Sequence, residues 1–390
     1  MLIVTCQLPY VMDKPLVSIW IPVYNGAHLI RKALESCINQ TYRNLEIVVF
    51  DDCSSDNTDE VVAEFVKRDA RVKYHKTPSR LGQNRSYVKI LELCTGELTH
   101  MLCCDDWLSR HYMEEVVKIF REYPRAGAVT GRTWSIAEKD GRWVFSRESN
   151  VKSGMYSRRY FGTQAYRNFL TSMVILGTVR KDGARRAMRR ISELAEAPPA
   201  SVGSEIANLM QKSEYGGEFI YNAEVMAGYD CVGVSERSIL MKTELPDDHY
   251  LSNKRSMRLR AEAGIWPHER SAQGIFKFFY FSRKLYDVAF ERDWKEYISP
   301  MRAFFAREAF STAVVEWMKS HFRRGFFRGA DTGMLFEGYS FREKFLSIAL
   351  VPFRLARRLL HWARREMFPS PVPDIGQEEY FLDRKGNFCA

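Results

Sequence analysis

The amino-acid sequence predicts an α/β protein: a doubly wound, mainly parallel sheet flanked by helices, followed by a mostly helical C-terminal region. Three observations carry this. Two short apolar runs, Val17–Val23 (VSIWIPV) and residues 45–50 (LEIVVF), end in turn-forming residues, as strands buried on both faces do. Segments of helical period separate the runs, and strand–helix alternation at this spacing builds βαβ units. After residue 245 the strand signals give way to aromatic and basic helical patterns.

In chain order, the first strand closes at Asn25 and Gly26. Residues 27–40 place Leu29, Ala33, Leu34 and Cys37 on one side of a helix. Residues 57–68 form a second helix, with Asp56 as its cap and Val61, Val62, Phe65 and Val66 as its buried stripe. A strand at 72–75, a helix at 86–94 and a strand at 98–103 follow, then strand and hairpin over 126–144. Helices are expected at 160–170 and 205–212, with an apolar strand around 173–179 between them and a loop at Pro198-Pro199. The last strand is expected at 218–221, and a domain boundary at 240–255.

The 390 residues are 46% hydrophobic and 27% charged, which allows a sizeable core and argues against global disorder. The net charge of +10 is uneven: from Lys319 to Arg365 there are eleven basic residues and three acidic ones. Such a region suits an anionic partner, a phospholipid surface or a nucleic acid, unless it is a solvated helical face. The eight cysteines include no Cys-x-x-Cys pair and no zinc-type Cys/His cluster, which suggests reduced thiols and a cytosolic compartment. Residues 1–14 lack the basic-then-apolar pattern of a signal peptide. No run approaches the ~18–20 apolar residues of a membrane span.

Two constellations can carry chemistry. Pro22-Val23-Tyr24-Asn25 closes the first strand, and Asp51-Asp52 followed by residues 53–58 closes the second. Ligands of open α/β sheets bind beyond the carboxyl ends of strands, where a carboxylate can accept a base N–H or a ribose hydroxyl. Asp105-Asp106 follows the strand at 98–103 and can attract a hard divalent cation. Each pair has a plain structural alternative, turning the chain or capping a helix. Their order and spacing together put both at one sheet edge. No Gly-x-Gly-x-x-Gly follows the first strand and no Gly-Lys-Ser/Thr loop is present, which excludes the usual dinucleotide and P-loop sites.

Residues 16–107 resemble the donor-binding half of the inverting family 2 glycosyltransferases, of the GT-A fold. The matching text is Val17 to Asn25, Ala33 to Tyr42, Leu45 to Asp52, Ser54 to Thr58, Gly96-Glu97 and Asp105-Asp106-Trp107. The resemblance implies that Asp52 bonds a uracil ring beside Pro22, Val23, Tyr24 and Asn25. It implies that Asp105 contacts the donor ribose or sugar and that Asp106 ligates Mn²⁺ or Mg²⁺ on the diphosphate. An arginine between Arg80 and Arg85 faces the nucleotide, with Arg85 favoured. Cys53 stands where the family usually has Gly, and Cys103 where many members begin a longer acidic motif.

Inversion needs a carboxylate to take the acceptor proton, and the resemblance points to Glu205, although Ser204 replaces the usual first acid. The implied activity is transfer of one hexosyl or acetamidohexosyl unit from a UDP-sugar to a glycan or lipid-linked acceptor. Gln164 and Arg167 match part of a Gln-x-x-Arg-Trp signature of processive polymerases, but Asn168 replaces the Trp, so non-processive transfer is expected. The implied domains are a GT-A unit at 1–245, with donor half 16–107 and acceptor half 126–230, and a helical, basic region at 246–390. The alternative is a catalytically inactive relative that binds nucleotide-sugar or glycan as a scaffold.

Residues 352–367 form an amphipathic pattern. At about 100° per residue, Arg354, Arg357, Arg358, Arg364 and Arg365 share one arc and Phe353, Leu355, Leu359 and Leu360 another. Such a helix lies in a membrane interface with its arginines at lipid phosphates, or packs its apolar face on the protein. The first option implies a peripheral site on the inner face of the plasma membrane. No nucleic-acid motif is present, so nucleic acid is not the expected partner.

Overall fold

The structure, a computed structural model of the chain, describes residues 13–139, 142–148, 153–157, 176–196, 217–244, 271–290, 295–322 and 324–367. These fall into two compact units. One holds the described residues up to Ser192 together with Tyr221–Glu244, and the other chiefly those from Ser271 to Met367.

The first unit opens with β1 (Val17–Val23), α1 (Ile30–Ile38), β2 (Leu45–Asp51), α2 (Thr58–Arg68), β3 (Val72–Lys76), α3 (Gln83–Leu93) and β4 (Leu98–Met101). β1 pairs in parallel with β2 on one side and β4 on the other, and β2 pairs in parallel with β3. Every residue of β1 except Pro22 is buried, and β2 is buried throughout. Both faces are covered, which is why these strands read as unbroken apolar runs. Ile19, Ile21 and Val23 of β1 join Ala33, Leu34 and Cys37 of α1 and Val62 and Phe65 of α2 in one core. The opposite face receives α3, where the Tyr87 ring meets Trp20 edge-on at 5.2 Å. Pro22 is tolerated within β1 because the pairing with β4 ends at Trp20 and Met101, two residues earlier.

The chain continues through β5 (Trp107–Leu108), α4 (Tyr112–Glu122), β6 (Ala126–Lys139), β7 (Arg142–Glu148), β8 (Gly154–Ser157), β9 (Thr178–Arg180), α5 (Lys181–Glu196), α6 (Gly217–Met226) and β10 (Cys231–Glu244). The sheet runs β3-β2-β1-β4-β9-β6-β10-β5, with β7 on β6 and β8 on β10. The fold class is the α/β one expected. The β3–β4 half is parallel throughout and the remainder is mixed, since β9, β5, β7 and β8 enter antiparallel.

One expected element differs. Residues 218–221 lie in helix α6, not in a strand, and the following strand is β10. Residues 220–226 are buried on all sides. This buried stretch mixes apolar residues with the buried polar Asn222 and Glu224, so the residue pattern shows neither a clean helical nor a clean strand period. The helices expected at 160–170 and 205–212 lie outside the described residues.

The second unit contains α7 (Ala272–Phe290), α8 (Lys295–Lys319), a 3₁₀ turn (Gly333–Phe336), α9 (Phe341–Ala349) and α10 (Val351–Met367). α8 packs on α7, α9 and α10 around Phe276, Phe304, Phe305 and Ala309. Its Glu308 is 3% exposed and pairs with Arg354 and with Arg358 at 2.8 Å. A carboxylate so buried has to be paired. Two of the five arginines expected at an outer surface are therefore turned onto the protein. Arg357 is exposed, and the side chains of Arg364 and Arg365 lie outside the described ones. No helix of the described residues is long and apolar enough to cross a membrane.

Candidate functional site

Parallel pairing of β2, β1 and β4 brings their carboxyl ends to one edge of the sheet. The chain winds outward from β1 through β2 and β3, then returns to β4 on the other side of β1. That reversal makes the β1–β4 boundary a topological switch point, where the loops diverge and leave a crevice.

Two loops at this edge are tied together. After β1, Asn25 takes a left-handed backbone, φ 51°, and its Oδ1 accepts from the Ser55 N–H at 2.9 Å. The Asn25 N–H donates to Ser54 Oγ at 2.9 Å, Gly26 N–H to Thr58 Oγ1 at 3.1 Å, and Ala27 N–H to Asp56 Oδ2 at 3.1 Å. Asp56 also accepts from the Thr58 N–H at 3.1 Å, but Asn57, one position later, rather than Asp56 holds the cap position of α2. Gly26 sits where a Cβ would lie 3.3 Å from Cys104 Sγ and 2.6 Å from Val23, so the β1 turn rests against the β4 loop.

The two acids that close β2 have different surroundings. Asp51 is fully buried and accepts from the Ser54 N–H at 2.7 Å and the Tyr74 O–H at 2.6 Å. Burial and Asp51 together push the Tyr74 hydroxyl well above its ordinary range. Asp52 lies at the N-terminus of α3, accepting from the amides of Leu81 at 2.6 Å and Gly82 at 2.9 Å. A carboxylate suits that end of the helix dipole. It retains acceptor capacity, since a carboxylate offers about four lone-pair sites.

Beside Asp52 stand Tyr24, 41% exposed, and Arg80. The Arg80 guanidinium lies 3.7 Å from the Tyr24 ring centroid and its Nε 3.9 Å from Asp52. Sequence reasoning bracketed this arginine but favoured Arg85, whose exposed side chain belongs to the first turn of α3. Pro22 and Val23 end β1 directly above Asp51 and Asp52: Val23 pairs with Asp51, and its carbonyl accepts from the Asp52 N–H at 2.9 Å.

On the β4 side, Cys103, Asp105 and Asp106 turn one ligand atom each into a group within 4.8 Å of one another. Asp106 is 2% exposed. Two hard carboxylates and one softer thiol fit a divalent cation that tolerates mixed donors, Mn²⁺ better than Mg²⁺. The role of Cys103 in this set was not foreseen, because its sequence position reads only as a missing acid. Cys104 points elsewhere: burial, with Asp105 and Asp106 adding to it, pushes its thiol up to about 12. The segment after Asp106 is pinned by Gln40, two residues past the end of α1. Gln40 donates to the Ser109 carbonyl at 2.8 Å and accepts from the Met113 N–H at 3.0 Å. Glu205, Gln164 and Arg167 lie outside the described residues.

Residues 18–180, from β1 through β9, match the model of the glycosyl transferase family 2. The glycosyltransferase GlyA of Streptococcus pneumoniae serotype 4 is 33% identical over 129 residues, covering 33% of this chain and 18% of that protein. GlyG of the same organism is 28% identical over 130 residues, covering 33% of this chain and 43% of that protein. The chain thus spans less than half the length of either relative. Among solved structures, the mannosyltransferase PcManGT of Pyrobaculum calidifontis, in complex with GDP-Man and Mn²⁺, superposes with a TM-score of 0.44 at 16% identity, over 93% of this chain and 90% of that one. The carboxylate-lined edge of β2, β1 and β4 lies within residues 18–180, the stretch that is similar to the glycosyl transferase family 2.

Proposed function

We propose that this chain is an inverting glycosyltransferase that moves one sugar from a nucleotide-sugar donor, a UDP-sugar in the first instance, to a glycan or lipid-linked acceptor. The observation that carries the reading is the meeting of Asp52 and the Cys103–Asp105–Asp106 group at one switch-point edge inside the stretch similar to family 2. In this reading residues 1–245 form the catalytic domain, with donor half 16–107 and acceptor half 126–230, and residues 246–390 form an appended helical region.

The roles are those that the resemblance implies, and the surroundings of Asp52 and Asp106 support theirs. Asp52, held by the 81–82 amides, offers its remaining acceptor sites to a base N–H, with Tyr24, Arg80 and the end of β1 around it. Asp105 takes a donor hydroxyl. Asp106, with Asp105 and Cys103, holds Mn²⁺ or Mg²⁺. When bound, the cation neutralises charge growing on the departing diphosphate. Glu205 is assigned the base. It removes the acceptor hydroxyl proton as that oxygen attacks the anomeric carbon and the nucleoside diphosphate departs from the opposite face.

A thermal-shift series with UDP, GDP and the corresponding sugars, with and without Mn²⁺, tests the donor assignment. UDP with Mn²⁺ is expected to raise the melting temperature, and Asp106→Asn to lose the metal-dependent part. Glu205→Gln is expected to abolish transfer, a fall of ~100-fold or more, while keeping the UDP–Mn²⁺ shift. Wild-type turnover in that variant removes Glu205 from the mechanism, and an absent nucleotide shift in the wild type removes the donor site.

A further inference from the structure

We propose that the helical pair α9–α10 is a docking surface for an anionic phospholipid bilayer, entered by outward apolar side chains and bordered by cations. This goes beyond the transferase reading and does not depend on it. The sequence pattern suggested arginines reaching for lipid phosphates, but the structure exposes the other kind of side chain.

α9 has its polar face inward and its apolar face outward. Phe341, Phe345 and Ile348 fall on one arc at about 100° per residue, and they are 86%, 62% and 60% exposed. Glu343 and Ser347 fall on the opposite arc and are buried. The inner face is satisfied locally. Ser340 caps the helix by accepting from the Glu343 N–H, Glu343 accepts from the Ser340 N–H at 2.7 Å, and Ser347 donates to the Glu343 carbonyl at 2.6 Å. Burial of Glu343 and Ser347 marks which face of α9 turns inward.

α10 repeats the inversion in part, with Leu355 and Leu359 half-buried. Arg354 and Arg358 are held on the buried Glu308 of α8, and Phe353 and Leu360 stand 77% and 72% exposed. Five large apolar side chains this exposed, on consecutive helices, form the kind of surface that marks an interaction site.

Charge selects the occupant. Arg342, Lys344 and Arg357 are exposed on the same two helices, whereas Glu343 is buried. A second copy of the chain would bring the same cations to the contact and be repelled. Lipid phosphates would neutralise them. An apolar helical ridge flanked by lysine and arginine is the arrangement that lies in a bilayer interface, the ridge entering at the acyl boundary and the cations at headgroup level.

Flotation of the full chain with vesicles tests this. The wild type is expected to float with phosphatidylcholine–phosphatidylglycerol vesicles at low salt and not with phosphatidylcholine alone. Phe345→Ser combined with Phe353→Ser should lower partitioning more than about tenfold. Its circular dichroism and melting temperature should match the wild type, because both residues are solvent-exposed. Arg342→Ser with Lys344→Ser should lower partitioning and flatten its salt dependence. The proposal is overturned if the folded phenylalanine variant floats like the wild type, or if neutral and anionic vesicles bind equally. It is also overturned if ultracentrifugation shows a dimer that the variant dissolves, since a second copy then covers the ridge. The UDP–Mn²⁺ thermal shift on the same proteins separates the two readings: the ridge variants should keep it, and its absence in the wild type would remove the donor site while leaving vesicle binding intact.

Discussion

Cys53 has φ 64°, in the left-handed region, one residue after Asp52. That conformation costs an L-residue roughly 1–2 kcal/mol. Asn25, at φ 51°, recovers part of the cost through its side-chain bonds to Ser55. Cys53 recovers little, because its thiol reaches only the Pro78 carbonyl at 3.7 Å. Cys53→Gly is therefore expected to stabilise the fold by about 0.5–1 kcal/mol, less than the full strain because glycine also loosens the unfolded chain. Urea unfolding reads it as a raised midpoint, and an unchanged or lowered midpoint contradicts it. The same residues show what the sequence disclosed. Asp51-Asp52 was legible as a pair at a strand end, but its division of labour was not. Which carboxylate turns inward to Ser54 and Tyr74, and which meets the 81–82 amides, depends on a loop arriving from β3. Gly96 was legible only as part of a motif. The structure gives its reason: a Cβ there would lie 2.6 Å from the Leu16 carbonyl oxygen.

Among elements, the site depends on a seam between two loops. The turn after β1 has three consecutive amides, Asn25, Gly26 and Ala27, that leave the sheet without backbone partners from it. Ser54, Thr58 and Asp56, from the loop after β2, accept all three. The motif over residues 54–58 therefore ties the loop after β2, which begins at Asp52, to the turn after β1. Asp56→Ala deletes the Ala27 bond and both Thr58 bonds. The expected cost is about 1–3 kcal/mol, that of hydrogen bonds to a charged group, with a weaker UDP–Mn²⁺ thermal shift because the β1 turn is released. An unchanged melting temperature would show the seam to be incidental. Elements of the first half were legible because each carries a helical or strand period, as in α2, where Val61, Val62 and Phe65 are buried, although Val66, expected beside them, is 40% exposed at the edge of the stripe. α5 carried such a period too, with Ala184, Ala187, Met188 and Ile191 buried, but its many arginines masked it from a reading led by apolar runs. α6 had no period to read. In α10 the sequence left the orientation open between two faces, and the structure splits the apolar arc: Phe353 and Leu360 are exposed, Leu355 and Leu359 half-buried, with Arg354 and Arg358 held by Glu308 on a different helix.

Over the whole molecule, two buried groups on neighbouring parts of the sheet make stability depend on acid in separable windows. Glu46 on β2 is 4% exposed. Burial alone would raise its pKa, but the Lys73 ammonium, the Ser18 hydroxyl and the Thr95 amide and hydroxyl overcome this and hold it near about 2, against an ordinary 4.5. A depressed carboxylate contributes stability that is complete above about pH 4.5 and lost as pH falls toward 2, on the order of 3 kcal/mol in all. His100 on β4 is fully buried against Tyr112 and Thr178, and its Nε2 has no hydrogen-bond partner among the described residues. Burial holds its pKa down to about 3, against an ordinary 6.5. The unfolded chain therefore takes up a proton below pH 6.5 that the folded chain refuses, and stability again falls as pH falls, from 6.5 downward. Both effects have the same sign, but only His100 acts between pH 6.5 and 4.5. Urea unfolding followed across pH should lose about 1.4 kcal/mol per unit in that window from this group. His100→Gln should remove that slope and leave the fall below pH 4.5. Glu46→Gln should do the reverse, lowering stability at neutral pH and flattening the curve below 4.5. A wild-type stability that is level from pH 6.5 to 4.5 would mean that His100 becomes charged without unfolding the sheet around it.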